Sequence, residues 1–210
     1  MKLPLTHLFQ PAKGDSRNLL VVLHGLGDSA EGLEWLQDEL AIDSLNCLLL
    51  NAPTPYYTGF SWYDIEGDRL PGILKSRELL SNTFDRIALA GFPPDRTFLG
   101  GFSQGCLMTL EFGSRYHEAF AGYLGISGYC DDPEAILREM NPAVNRDNWL
   151  VTHGTQDELL PVERTRAQIR HLIAGGFRID YREYRKAHTI DFEKELPDIR
   201  EWLIQSITQW

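Results

Sequence analysis

Short, continuous apolar runs alternate with longer amphipathic stretches along most of the chain. Asn18-Leu19-Leu20-Val21-Val22-Leu23 and Leu45 to Leu50 have strand length and no polar alternation, the pattern of strands buried on both faces. Phe120 to Ile126, Trp149 to Thr152 and Arg178 to Tyr184 continue the series. Between them, Ser29 to Leu40, Pro71 to Ala90, Val162 to Ala174 and Ile190 to Ile207 read as helices. Gly91 and the Pro93-Pro94 pair close the second of these. Strands alternating with helices predict an α/β fold, a mostly parallel central sheet with helices on both faces. No internal repeat or linker interrupts the pattern, so residues 1–210 are read as a single domain. Ala52 to Leu70 is the one long stretch without a period. Its Tyr56, Tyr57, Phe60, Trp62 and Tyr63 argue against disorder and suit a groove wall, a lid or a dimer surface.

The most specific chemistry lies in Gly101-Phe102-Ser103-Gln104-Gly105. Arg96 to Gly100 before it reads as a strand and Cys106 to Phe112 after it as a helix, the context that a nucleophile elbow requires. Such a turn lifts the hydroxyl of Ser103 above the sheet and leaves the Gln104 amide at a helix N-terminus, where negative charge is favoured. A serine hydroxyl is a weak nucleophile alone, so the motif calls for a base, an acid to orient it, and an oxyanion hole.

Ligands of open α/β sheets bind beyond the carboxyl ends of the strands, which makes residues just after predicted strands the candidates. Asp157 lies in His153-Gly154-Thr155-Gln156-Asp157, after the Trp149 strand; His188 lies in Lys186-Ala187-His188-Thr189, after the Arg178 strand. The chain order Ser103, Asp157, His188 is the one expected of a hydrolase triad on such a sheet. Asp147, Asp180 and Asp191 compete with Asp157, but none sits in a loop just after a strand. His24 and His153 follow strands too, yet both come too early in that order and suit loop-shaping hydrogen bonds better. The second oxyanion donor is expected in His24-Gly25-Leu26-Gly27-Asp28, with the Leu26 amide beside that of Gln104.

The net charge of −10 weighs against a nucleic-acid surface and against a polybasic membrane anchor. No apolar run approaches the ~20 residues of a membrane span, and the N-terminus is too interrupted for a secretory segment. Cys47, Cys106 and Cys130 form an odd set without metal-ligand spacing, which suits free thiols and a cytoplasmic location. Nothing in the motif set requires a metal or an organic cofactor.

Together, His24 to Asp28, Ala52-Pro53, Ser61-Trp62-Tyr63-Asp64-Ile65, Gly100 to Gly105, Ser127-Gly128, His153 to Asp157 with Pro161-Val162, and His188 resemble the acyl-protein thioesterase and carboxylesterase family of the α/β hydrolases, also described as lysophospholipase-like. The resemblance implies an α/β-hydrolase fold without a large cap domain, cleaving carboxylic esters or thioesters through an acyl-enzyme. Small-molecule or lipid acyl esters, or an acylated protein, are the implied partners. It also implies that the Trp62 segment lies beside the acyl groove, making Trp62 a candidate substrate contact. The chain departs from the family pattern at Ala187, where glycine usually precedes the histidine, and at Cys106, where a small residue is favoured. A dienelactone-hydrolase or peptidase-like activity is the runner-up among enzymes, the former weakened by Ser103 in place of a cysteine. A non-catalytic ligand-binding protein on the same fold is the alternative from another class.

Overall fold

A computed structural model describes residues 1–144 and 148–208. Asp147 lies outside the described residues. Seven strands form one sheet in the order β1-β3-β2-β6-β7-β8-β9. They are β1 (His7–Gln10), β2 (Leu19–Leu23), β3 (Asn46–Leu50), β6 (Thr97–Phe102), β7 (Gly122–Ile126), β8 (Trp149–Gly154) and β9 (Ile179–Tyr184). All neighbours are parallel except β1, which runs antiparallel to β3 with His7 opposite Leu50. A two-stranded hairpin, β4 (Thr54–Tyr56) and β5 (Gly59–Ser61), stands apart from the sheet.

Why the central strands read as unbroken apolar runs is plain in the packing. Successive side chains of a strand point to opposite faces, and here both faces are covered. Leu19, Val21, Leu23, Leu48, Leu99, Tyr123 and Trp149 pack on one side against α2 (Arg69–Leu89), α3 (Gln104–Gly113) and α5 (Val162–Ala174). Their neighbours Leu20, Val22, Leu49, Phe98, Leu124 and Leu150 pack on the other side against α1 (Leu36–Leu40) and α6 (Glu195–Thr208). Tyr123 and Trp149 stack at 3.9 Å across adjacent strands. Phe84 of α2 sits among Phe112, Tyr116 and Phe120 at 4.7 to 5.9 Å between centroids.

Five elements differ from the sequence reading. Ser29 to Leu40 is not one helix but a 3-10 turn, Glu31–Leu33, followed by the short α1. Gly32, inside the 3-10 turn, lies against the Asp28 carboxylate, where any Cβ would sit 1.9 Å from Oδ1. The last helix begins at Glu195 rather than Ile190, because Asp191 turns the chain by accepting from the amides of Glu193 and Lys194. The edge strand β1, the hairpin and α4 (Pro133–Glu139) are additions to the elements the sequence pattern predicts. β1 is half-buried and only four residues long; α4 is seven residues long and capped by Asp132, which accepts from Ala135 N at 3.0 Å. Each is too short to carry a period. At the far edge of the sheet, Asp180 and Arg182 of β9 pair at 2.6 Å, and Glu183 pairs with Arg166 of α5 at 2.6 Å.

The carboxyl ends of β2, β6, β7, β8 and β9 come out on one edge of the parallel array and carry Gly25 to Asp28, Ser103, Ser127 to Tyr129, Asp157 and His188 respectively. The aromatic packing beneath this rim is expected to be costly to disturb: Phe84→Ala should lose about 3–5 kcal/mol in urea unfolding, the range for removing a buried aromatic side chain.

Candidate active site

Ser103 is the single residue between β6 and α3, and its backbone is held at φ +55° and ψ −112°. A non-glycine residue adopts such a conformation only where its surroundings over-determine it. Here the glycines on either side allow the approach. A Cβ at Gly105 would lie 2.0 Å from the Leu23 carbonyl oxygen, and one at Gly101 would lie 2.2 Å from that of Gly105. The Ser103 amide donates to Ile126 O at 2.9 Å, and its carbonyl accepts from Leu107 N at 3.2 Å. The turn is therefore pinned to β7 on one side and to α3 on the other.

The structure brings the three predicted residues together in order. Ser103 Oγ lies 2.9 Å from His188 Nε2, and His188 Nδ1 lies 2.7 Å from Asp157 Oδ2. The other oxygen of the buried Asp157 accepts from the amides of Leu159 and Leu160 at 3.0 and 2.8 Å. Two fixed amides on one oxygen leave the second for the imidazole, which places the ring proton on Nδ1 and frees Nε2 to accept from Ser103. Asp180 pairs with Arg182, and Asp191 turns the loop before α6, so neither reaches His188.

Leu26 and Gln104 are also adjacent to this point. Gln104 opens α3, so its amide is among the helix's unpaired donors. In the turn after β2, Gly27 N donates to Phe60 O at 2.9 Å and Asp28 N to Gly25 O at 3.3 Å; among the described residues no acceptor takes the Leu26 amide. A Cβ at Gly25 would lie 3.4 Å from Ser103 Cβ, so this turn abuts the elbow. The β4–β5 hairpin holds it there through Phe60 N, which donates to Asp28 O at 2.9 Å.

His24 and His153 are braces. His24 Nδ1 donates to Gly25 O at 2.6 Å, and its Nε2 accepts from Ala52 N at 3.1 Å, a pairing available only to the neutral ring. Burial holds its pKa below the ordinary 6.5. His153 donates from Nε2 to Leu160 O at 2.8 Å behind Asp157, and burial lowers its pKa as well.

Trp62 does not line the cleft. It is 1% exposed, and its indole N–H donates to His24 O at 3.0 Å, so it supports the turn after β2 from within the core. Its neighbour Tyr63 reaches the cleft instead, where the chain bends after β5. The cleft encloses about 630 Å³ beside Ser103 and His188, with apolar walls from Leu26, Tyr63, Ile65, Phe102, Leu159 and Leu160.

Residues 7–207 match the phospholipase/carboxylesterase family model. The chain belongs to this family. It is a hydrolase of ester or thioester bonds. Acyl-protein thioesterase 1 of Yarrowia lipolytica is 30% identical over 95% of this chain and 96% of its own length. A probable carboxylesterase of Oryza sativa is 26% identical over 91% of this chain and 79% of its own. The crystal structure of esterase PE8 superposes with a TM-score of 0.85 at 28% identity, covering 96% of this chain and 98% of that one.

Two features of this hydrolase have no motif that would have announced them. The Gln104 side chain is buried and grips the segment before α2: Oε1 accepts from Trp62 N at 3.0 Å, and Nε2 donates to Tyr63 O at 3.0 Å. Next to His188, the buried Lys186 ammonium donates to Glu195 Oε1 and Oε2 at 2.5 and 2.6 Å, to Thr189 O at 2.7 Å and to Ser127 Oγ at 2.9 Å. That one cation ties the histidine loop to α6 and to the end of β7. The departure at Cys106 fits its surroundings: Cβ atoms at Gly125 and Gly128 would fall 2.8 and 2.5 Å from its sulfur. Burial pushes this thiol up to about 12, which keeps it protonated and inert. Among the described residues, no helix is long and apolar enough to cross a membrane.

Removing one partner of the buried pair strands the other, so Lys186→Met or Glu195→Gln should each cost about 3–5 kcal/mol in urea unfolding. Lys186→Met combined with Glu195→Leu should recover a substantial part of that loss. Equal losses in the single and double variants would contradict the pairing. His24 has a second, pH-dependent signature. The unfolded chain takes up a proton near 6.5 and the folded ring resists it, so folding loses stability as pH falls through that value. The stability advantage of the wild type over His24→Gln should therefore shrink between pH 8 and pH 5; a constant difference would refute the neutral brace.

Proposed function

We propose that this chain is a serine hydrolase that cleaves carboxylic ester or thioester bonds through an acyl-enzyme on Ser103. The observation that carries this reading is the unbroken hydrogen-bonded line from Ser103 Oγ through His188 to Asp157, at 2.9 and 2.7 Å. His188 Nε2 takes the proton as Ser103 Oγ bonds to the acyl carbon, and the carbonyl oxygen becomes an oxyanion. The free amides of Leu26 and Gln104 stabilise that charge, aided by the N-terminus of α3. Collapse of the tetrahedral intermediate breaks the ester or thioester bond, and His188 returns its proton to the departing alkoxide or thiolate. A water then repeats the sequence with His188 as base, releasing the acid and restoring Ser103. Asp157 keeps the proton on Nδ1 throughout and stabilises the transient imidazolium.

An apolar cleft wall beside the nucleophile supports an acyl substrate, as do the names of the thioesterase relatives. The test uses p-nitrophenyl butyrate and butyryl thiocholine as reporters. Ser103→Ala and His188→Ala should each lower kcat by about 10⁴-fold or more, and Asp157→Asn should cost nearly as much by disturbing the tautomer. A variant retaining the wild-type rate removes that residue from the scheme. Wild-type protein should also be labelled by a fluorophosphonate, and Ser103→Ala should not.

A further inference from the structure

Two arginines of the same cleft each pack against the ring of one tyrosine. Tyr129, in the loop after β7, is buried, and its hydroxyl shares a hydrogen bond of 3.1 Å with that of Tyr63. The Arg164 guanidinium carbon lies 4.7 Å from the Tyr129 ring centroid, and that of Arg69 lies 5.7 Å from it. All three residues line the cleft that holds Ser103 and His188.

The charges of these arginines are poorly compensated. Arg69 has Asp131 at 3.6 Å, a long contact between side chains each about one-third exposed. Among the described residues, no carboxylate lies within ion-pair distance of Arg164. Asp28 is the one carboxylate in the cleft lining; it follows β2, with β6 between it and Tyr129, and its oxygen is taken by Ser29 N at 2.8 Å. Asp68 caps α2 by accepting from Leu70 N at 3.1 Å. Both arginines also stand in the first turn of a helix, α2 for Arg69 and α5 for Arg164, where the backbone field favours anions and disfavours cations. Glu163 and Arg164 are both exposed and form no ion pair with each other. In a chain with thirty acidic and twenty basic side chains, one loosely paired and one unpaired cation at the reaction cleft work against the general field.

A bound oxyanion removes this imbalance. A guanidinium held over an aromatic ring is already ordered, and its planar fork of N–H donors matches a carboxylate or a phosphate. We infer that the substrate of this hydrolase carries an anionic group, a carboxylate or a phosphate, received by Arg69 and Arg164 across Tyr129 while its acyl carbon meets Ser103. This rests on the serine-hydrolase reading and narrows it from acyl esters in general to charged ones. The apolar walls then take the short hydrocarbon between ester and anion.

Matched substrates test it with the full chain. Mono-p-nitrophenyl glutarate against p-nitrophenyl butyrate places a carboxylate on the acyl side. The butyryl ester of glycerol 3-phosphate against that of glycerol places a phosphate on the leaving-group side. In at least one pair, kcat/KM for the charged member should exceed that for the neutral member by about tenfold or more, the scale of one charge-assisted hydrogen bond. Arg164→Gln and Arg69→Gln should each reduce that ratio several-fold, chiefly through KM, and added salt should reduce it too. Arg170→Gln, an exposed arginine of α5 outside the cleft, removes the same charge and should leave the ratio intact. Because the ratio is taken within each variant, a general loss of stability cancels. Equal or lower kcat/KM for both charged members overturns the inference, as does a ratio that survives in the double arginine variant. Ser103-dependent turnover of neutral esters in that case leaves the hydrolase reading standing; no Ser103-dependent turnover of any of the four overturns both.

Discussion

The approach of α3 to the end of β2 is the constraint from which the cleft is built. With Gly105 lying on the Leu23 carbonyl, the elbow has nowhere to relax, and Ser103 stays at φ +55°. Three consequences come from that single contact. The Ser103 hydroxyl is held on the rim of the sheet, the Gln104 amide is left unpaired at a helix N-terminus, and the turn containing Leu26 is brought alongside. Interiors packed to crystal-like density do not spread such strain; they hold it where it is placed.

Charge on either side of the elbow follows two different rules. On the histidine side, the Lys186–Glu195 pair is fully desolvated, so its contribution lies in fixing one loop geometry rather than in net stability. On the tyrosine side, Arg69 is half-buried with a long contact to Asp131, and Arg164 is exposed over the Tyr129 ring. The same cleft thus has a buried, tightly bonded side at His188 and a more exposed side at Tyr129.

Much of this was legible along the chain, and the reason is physical. Strands covered on both faces must be apolar throughout, so β2, β3, β6, β7 and β8 announce themselves; their carboxyl ends then single out Ser103, Asp157 and His188 by position. Elements decided by one side-chain contact were hidden. Ser29 to Leu40 has a helical pattern, yet it folds as a tight 3-10 turn with Gly32 packed on the Asp28 carboxylate, followed by a short helix. Trp62 could be placed near the site but not on a face, because burial of a lone aromatic depends on the hairpin behind it. Lys186 reads as an ordinary surface lysine until α6 delivers Glu195 from nine residues further on.

The outermost strand on the histidine side has a meaning beyond the site. Asp180, Arg182 and Glu183 on β9 are bound to each other or to α5, so the open edge presents paired charges rather than bare hydrophobic positions. A strand from another molecule would have to strip water from those charges before forming its first backbone hydrogen bond. The edge beside the His188 loop is thereby guarded against sheet-to-sheet aggregation.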